Sequence, residues 1–297
     1  MATTKFKERF DLNSVFAQGV VQRLWGRGND VFARLRVPTG GGDEEKVTYI
    51  TLRFPEGRVA GTPVTLSPGI EIKVGGFLTQ TKFTETILKV LDAAGEREFL
   101  ANVPVDDKEA WTRISFVRRN AMLNVLAAEW VGADLALGET GLFDEFAQSD
   151  AASGVALEGV IASTWEYTHD AGVHLFARLA CYDPHTPIAD GKGDRFGRPR
   201  RRPHYVTIKM EDGKVDGFPV KLAKKMRLRV LGFLEDQGGR VNLHEQLLDT
   251  GKSEVIELMS RLPNADRLAE IVSQQSSIHI KATSLIVYSD ARKGLKS

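Results

Sequence analysis

The chain has 297 residues, enough for two domains of ordinary size, each with a core of its own. Hydrophobic residues make up 42% and charged residues 27%, as in globular proteins, and a single cysteine, Cys181, excludes an intramolecular disulfide and suits a reducing cytoplasm. A net charge of +1 excludes a globally basic polyanion binder, yet residues 191–203 hold Lys192, Arg195, Arg198, Arg200, Arg201 and Arg202 against Asp194, so any polyanion site must be local.

The opening stretch Met1 to Glu8 lacks the apolar segment of a secretory signal, and residues 1–17 read as an N-terminal arm. From there the chain repeats itself. Gly19-Val20-Val21 to Trp25 returns as Gly159-Val160-Ile161 to Trp165, and Phe32-Ala33-Arg34-Leu35 returns as Phe176-Ala177-Arg178-Leu179. Tyr49 to Leu78 then matches Tyr205 to Leu234 without a gap, at a constant offset of 156. A period that long means two domains and not a solenoid. Alternating apolar residues predict strands at 18–25, 30–38, 46–54, 70–78 and 122–131 in the first copy. Residues 40–43 are a Gly-rich hairpin tip.

Between the fourth and fifth strands each copy makes an excursion with a helical pattern, over 108–118 and again over 265–274, expected to cover one end of its barrel. Residues 132–155, rich in Gly and Ser, read as a linker. The second copy predicts strands at 158–165, 173–182, 204–210, 226–234 and 277–288, with a long loop at 183–203 where the first copy has its Gly-rich tip. The domains expected are thus 18–131 and 156–290, with a tail at 291–297.

Strand alternation assigns faces. Val31, Ala33, Leu35 and Val37 form the inward set of the second strand, leaving Phe32, Arg34 and Arg36 outside; Ile50, Leu52 and Phe54 leave Tyr49, Thr51 and Arg53 outside. In the second copy the outward set is His174, Phe176, Arg178 and Tyr182, then Tyr205, Thr207 and Lys209. Lys73 and Arg229 lie outward on the fourth strands. Trp25 and Trp165 close the first strands, as core lids or as stacking platforms. Outward aromatics beside cations suit a single-stranded nucleic acid, whose unpaired bases stack on rings while Arg and Lys track phosphates. The same residues also suit a protein interface. Arg195, Arg198, Arg200, Arg201 and Arg202 would add a basic clamp with salt-sensitive affinity.

These residues, and the passage Leu66 to Leu78 repeated as Leu222 to Leu234, resemble the bacterial single-stranded DNA-binding proteins built from tandem OB-folds. The resemblance implies a mainly β chain of two five-stranded Greek-key barrels with small helical excursions. It also implies DNA contacts from Phe32, Arg34, Tyr49, Arg53 and Lys73, and from Phe176, Arg178, Tyr205, Lys209 and Arg229. Because members with two OB-folds per chain dimerise, it implies a homodimer. Typical members end in an acidic tip that recruits repair enzymes, whereas this chain ends Asp290-Ala291-Arg292-Lys293-Gly294-Leu295-Lys296-Ser297, so recruitment by that route is not expected.

Enzyme signatures fail. Gly251-Lys252-Ser253 ends like a phosphate loop, but Gln246 stands where the first glycine is needed. The histidines at 169, 174, 185, 204, 244 and 279 have no metal-binding spacing, and His169, Asp183 and His185, although they can meet in space, read better as scattered surface residues. No cofactor, metal, catalysis or membrane partner is expected. The leading expectation is a cytoplasmic, non-enzymatic single-stranded DNA binder acting in replication, recombination or repair; the alternatives are an OB-fold interaction scaffold and an RNA-binding module.

Overall fold

The computed structural model describes residues 10–38, 47–138, 143, 152–169, 172–186, 188 and 201–288, with the side chains of 81, 82, 119, 120, 169, 236–240 and 274–277 left aside. Among the described residues, ten long strands carry the fold. They are β1 (Asn13–Arg27), β2 (Asp30–Pro38), β3 (Val47–Phe54), β4 (Glu71–Thr86), β5 (Ser115–Trp130), β6 (Ser153–His169), β7 (Gly172–Cys181), β8 (His204–Met210), β9 (Arg227–Asn242) and β10 (Val272–Tyr288).

β1 pairs antiparallel with β2, β2 with β3, and β3 runs parallel to β5; β5 neighbours β4, which returns to β1. This closed five-strand circuit is the Greek-key barrel of the OB-fold. β6, β7, β8, β10 and β9 repeat it, again with one parallel pair, β8 with β10. The third and fifth strands are joined through the whole fourth strand, which is why they can run parallel, and the excursion links the fourth strand to its neighbour the fifth in each copy.

Closure demands that β1 and β6 each bend to serve several partners. A register shift falls between Val21 and Arg23 in the first copy and at the matching place, opposite Arg178 and Leu179, in the second. Such bulges sharpen local twist. Glycine permits the tightest approach: a Cβ on Gly76 would sit 1.9 Å from the Asn124 carbonyl oxygen, and one on its counterpart Gly232 would sit 2.1 Å from that of Lys281. The expected inward residues do form the core. Ala33, Leu35, Val37, Ile50, Leu52 and Phe54, with Ala177, Leu179, Cys181, Val206, Ile208 and Met210, are buried in one apolar cluster. Burial pushes the Cys181 thiol well above its usual pKa, which makes it an inert packing residue.

The expected arm and linker both contribute strand. Asn13 to Ala17 of β1 pair antiparallel with Leu157 to Ser153 of β6. Since the first strand repeats at an offset of 140, Val15 pairs with Val155, its own counterpart, so a local two-fold axis passes through that pair. Asn13 reinforces the junction. Its side chain donates to the Leu78 carbonyl at 2.9 Å and to Asp183 at 2.6 Å, and it accepts from the Leu78 N–H at 3.0 Å.

The excursions depart from expectation. The predicted helix 108–118 stops at Thr112 and the predicted helix 265–274 is only Arg267–Glu270, because β5 and β10 begin early and run on as alternating strands. Among the described residues the excursions instead hold five α-helices: α1 (Ile87–Ala93), α2 (Lys108–Thr112), α3 (Leu243–Leu248), α4 (Ser253–Ser260) and α5 (Arg267–Glu270). Residues 81–120 and 237–277 form a compact unit of their own, distinct from the unit that holds the barrels. Its buried side chains come from both copies, with Ile87, Leu91, Phe99 and Trp111 in one cluster with Leu243, Leu247, Met259 and Leu268. Arg261 pairs with Asp107 at 3.1 Å and Arg267 with Glu96 at 2.8 Å, again across the copies. Each helix is too short to be stable alone, so each excursion needs the other's apolar face. Among the described residues, no helix is long and apolar enough to cross a membrane.

Candidate nucleic-acid interface

The outward positions of the barrel strands gather the sequence-derived candidates. The register pairs Trp25 with Phe32 and Trp165 with Phe176. Each pair is a parallel stack, 5.7 Å between centroids at 11° in the first barrel and 5.5 Å at 6° in the second. Phe32 and Phe176 therefore point away from the barrel core but are covered, with relative exposures of 9% and 5%. Trp25 is half-buried and Trp165 is exposed, so the tryptophans present the accessible ring faces and the phenylalanines support them. Phe176 in turn meets His279 edge-on at 5.8 Å.

A second duplicated element lies on the neighbouring strands. The guanidinium of Arg34 sits 5.7 Å from the Tyr49 ring and that of Arg178 sits 4.8 Å from the Tyr205 ring, both in cation–π range. Arg34 donates to Thr51 at 3.0 Å and Arg178 to Gln80 at 2.7 Å. Half-buried Arg36 lies opposite Tyr49 in the β2–β3 ladder. Tyr182 and Tyr205 are both exposed, and the Tyr182 hydroxyl is shifted up by partial burial, then by Tyr205 and Asp11 nearby.

The remaining cations are engaged by carboxylates from adjacent strands. Arg53 pairs with Asp30 at 2.8 Å, Lys73 with Glu129 at 3.1 Å and Arg229 with Glu158 at 3.2 Å. Lys209 is buried, against its expected outward exposure, because Glu235 at 3.0 Å and Glu211 at 3.6 Å enclose its ammonium. Glu235 also binds His279 at 2.9 Å, and that hydrogen bond, then Lys209, holds its carboxyl down to about 2 against the pull of burial. Glu158 also takes Arg227 at 2.8 Å, while Asp11, hydrogen-bonded to the same guanidinium, is nevertheless shifted upward because burial outweighs its partners.

The long loop of the second barrel is fastened at its base. Asp183, 1% exposed, accepts from Asn13, meets His204 Nδ1 at 2.9 Å and caps the following turn through the His185 and Thr186 donors. Burial opposes its ionisation, but His204 and Asn13 outweigh that and hold the carboxyl below its usual range. Phe77 stacks on His185 at 4.2 Å and on His204 at 5.6 Å. Asp183 is thus buried and not a scattered surface residue as expected, and it forms a structural clasp with the His204 ring and the His185 backbone N–H; the His169 side chain lies outside the described residues. Arg201 donates to the Thr186 carbonyl at 3.0 Å and covers Phe10 at 5.0 Å, and Arg202 is exposed. Arg195, Arg198 and Arg200 lie outside the described residues.

Three participants escaped sequence reading. Arg23 lies 5.0 Å from the Trp25 ring, His279 props Phe176, and Tyr167 is exposed two positions beyond Trp165 on β6. Tyr167 had a signal in the alternation of that strand, which runs four residues past its predicted end. Groups of metal-binding side chains are absent among the described residues.

No protein-family model matches the chain, and no curated protein matches it in sequence. Among solved structures, the chain is similar to a deletion mutant of the single-stranded DNA binding protein from Thermus aquaticus, at 13% identity over 97% of this chain and 99% of that one, with a TM-score of 0.45. The wild-type Thermus aquaticus protein gives 13% identity over 95% and 96%, with a TM-score of 0.43. A small single-stranded DNA-binding protein from Streptomyces coelicolor gives 13% identity over 48% of this chain and 96% of its own, with a TM-score of 0.24.

Proposed function

We propose that this chain binds single-stranded DNA with little sequence preference, by base stacking and phosphate contacts on the outer faces of its two barrels. The observation that carries this reading is the duplicated pair of elements, a tryptophan stacked on a supporting phenylalanine and an arginine lying over a tyrosine. Rings held rigid at the surface lose little entropy when a base lands on them. A duplex, whose bases are already stacked, has no use for such rings. Phosphate contact falls to Arg34, Arg36 and Arg178 beside the rings, to the basic loop that includes Arg201 and Arg202, and to Arg53, Lys73 and Arg229, which exchange a carboxylate for a phosphate.

On this reading the protein is not an enzyme. It acts as a cytoplasmic homodimer that coats strands exposed in replication, recombination or repair. Fluorescence anisotropy of a labelled oligo(dT) tests it, with unlabelled duplex and oligo(U) as competitors. Binding that resists duplex competition and survives oligo(U) supports the reading. Preference for oligo(U) would assign the same face to RNA, and no binding at low salt would leave the interaction-scaffold alternative.

A further inference from the structure

The two barrels differ at the ribbon that joins their first two strands. Beyond Trp25 and Phe32 the first ribbon closes after two more pairs, at Arg27 opposite Asp30, whereas the second closes four pairs beyond Trp165 and Phe176, at His169 opposite Gly172. Two extra residues per strand preserve parity, so Tyr167 shares a face with Trp165 and lies opposite His174 as Trp165 lies opposite Phe176. Both side chains are exposed to solvent, at 42% for Trp165 and 53% for Tyr167. The first barrel has no such pair. Arg27 holds the place of Tyr167, and Arg23 lies on Trp25 where the second barrel has Ser163.

Positions two apart on a strand are separated by roughly 6.7 Å. That is about twice the 3.4 Å per-nucleotide rise of a strand in duplex DNA. A single strand drawn out until its bases leave one another offers successive bases at this interval. We propose that Trp165 and Tyr167 form a two-ring platform taking two consecutive bases of an unpaired strand, which makes the second barrel the stronger stacking half of the protein. This rests on the single-stranded reading above.

The test compares wild type, Tyr167→Ala and Tyr167→Phe in the full chain, using oligo(dT) and an abasic deoxyribose-phosphate strand of equal length. Tyr167→Ala is expected to weaken oligo(dT) binding about tenfold, while Tyr167→Phe stays within about twofold of wild type. Neither variant changes abasic binding or the thermal midpoint, since residues 163–168 of the ribbon are all exposed. Unchanged oligo(dT) affinity in Tyr167→Ala, or an equal loss on the abasic strand, overturns the platform and leaves single-strand binding intact. A wild-type protein that ignores oligo(dT) overturns the parent reading and the platform with it.

Discussion

Trp165 lies parallel to Phe176, with 5.5 Å between ring centroids and 6° between planes, and Phe176 is itself almost fully covered. The stack divides labour between a ring that meets ligand and a ring that holds it in place. Trp165→Ala and Trp25→Ala are therefore expected to weaken oligo(dT) binding about tenfold each, with a stability loss smaller than that from truncating the phenylalanine they cover. Phe176→Ala should instead cost about 3 kcal/mol of stability, as truncation of a buried phenylalanine does. Urea unfolding beside the binding titration separates the two classes.

The Glu235 carboxyl, held at about 2 in the folded state against an ordinary value of 4.5, makes a pH-dependent contribution. A depressed folded pKa means stability that is present above pH 4.5 and lost as the pH falls toward 2. With the side chain 28% exposed, the contribution is about 2–3 kcal/mol. At pH 3 the folded carboxyl is still mostly ionised, so Glu235→Gln should narrow the stability difference between pH 6 and pH 3 by about 1–2 kcal/mol. Denaturant unfolding at the two pH values checks it.

Barrel closure makes a separate demand. Gly76→Ala and Gly232→Ala place a methyl against a carbonyl of the neighbouring strand, at 1.9 and 2.1 Å from its oxygen. The ladder must open to admit it, and each substitution should destabilise by about 2–4 kcal/mol. Gly61→Ala tests only the backbone, since its Cβ meets open space at a φ of +80°, and should cost about 1 kcal/mol. Thermal unfolding ranks the three.

At the junction of the repeats, Asn13→Ala removes three buried hydrogen bonds to Leu78 and Asp183. Stranded polar groups cost about 1–3 kcal/mol each, so a loss of about 3 kcal/mol is expected. Asn13→Asp should be worse, because it sets a second carboxylate against buried Asp183. Guanidinium unfolding of both variants measures the order.

Much of the barrel was legible because period-2 alternation is a local signal: Ala33, Leu35 and Val37 announced the inward face and Phe32 and Arg34 the other. The covering of Phe32 was not legible, since it depends on Trp25 falling opposite it in a register set by the bulge after Val21. Nor was the neutralisation of Arg53 or Lys209, whose partners Asp30 and Glu235 come from other strands. The excursions misled for a similar reason. Residues 108–118 carry a helical pattern, but Phe116 finds its burial as a strand residue, and Ile114 just before that strand, in a core that the other repeat completes.

Intrinsic fluorescence tests the central claim most directly. Trp111 and Trp130 are buried, at 0% and 7% exposure, so quenching on oligo(dT) addition should report Trp25 and Trp165. The account predicts strong quenching at low salt that recedes as salt rises, and its loss in the Trp25→Phe, Trp165→Phe double variant. Oligo(dT) binding that leaves the emission of Trp25 and Trp165 unchanged would contradict it.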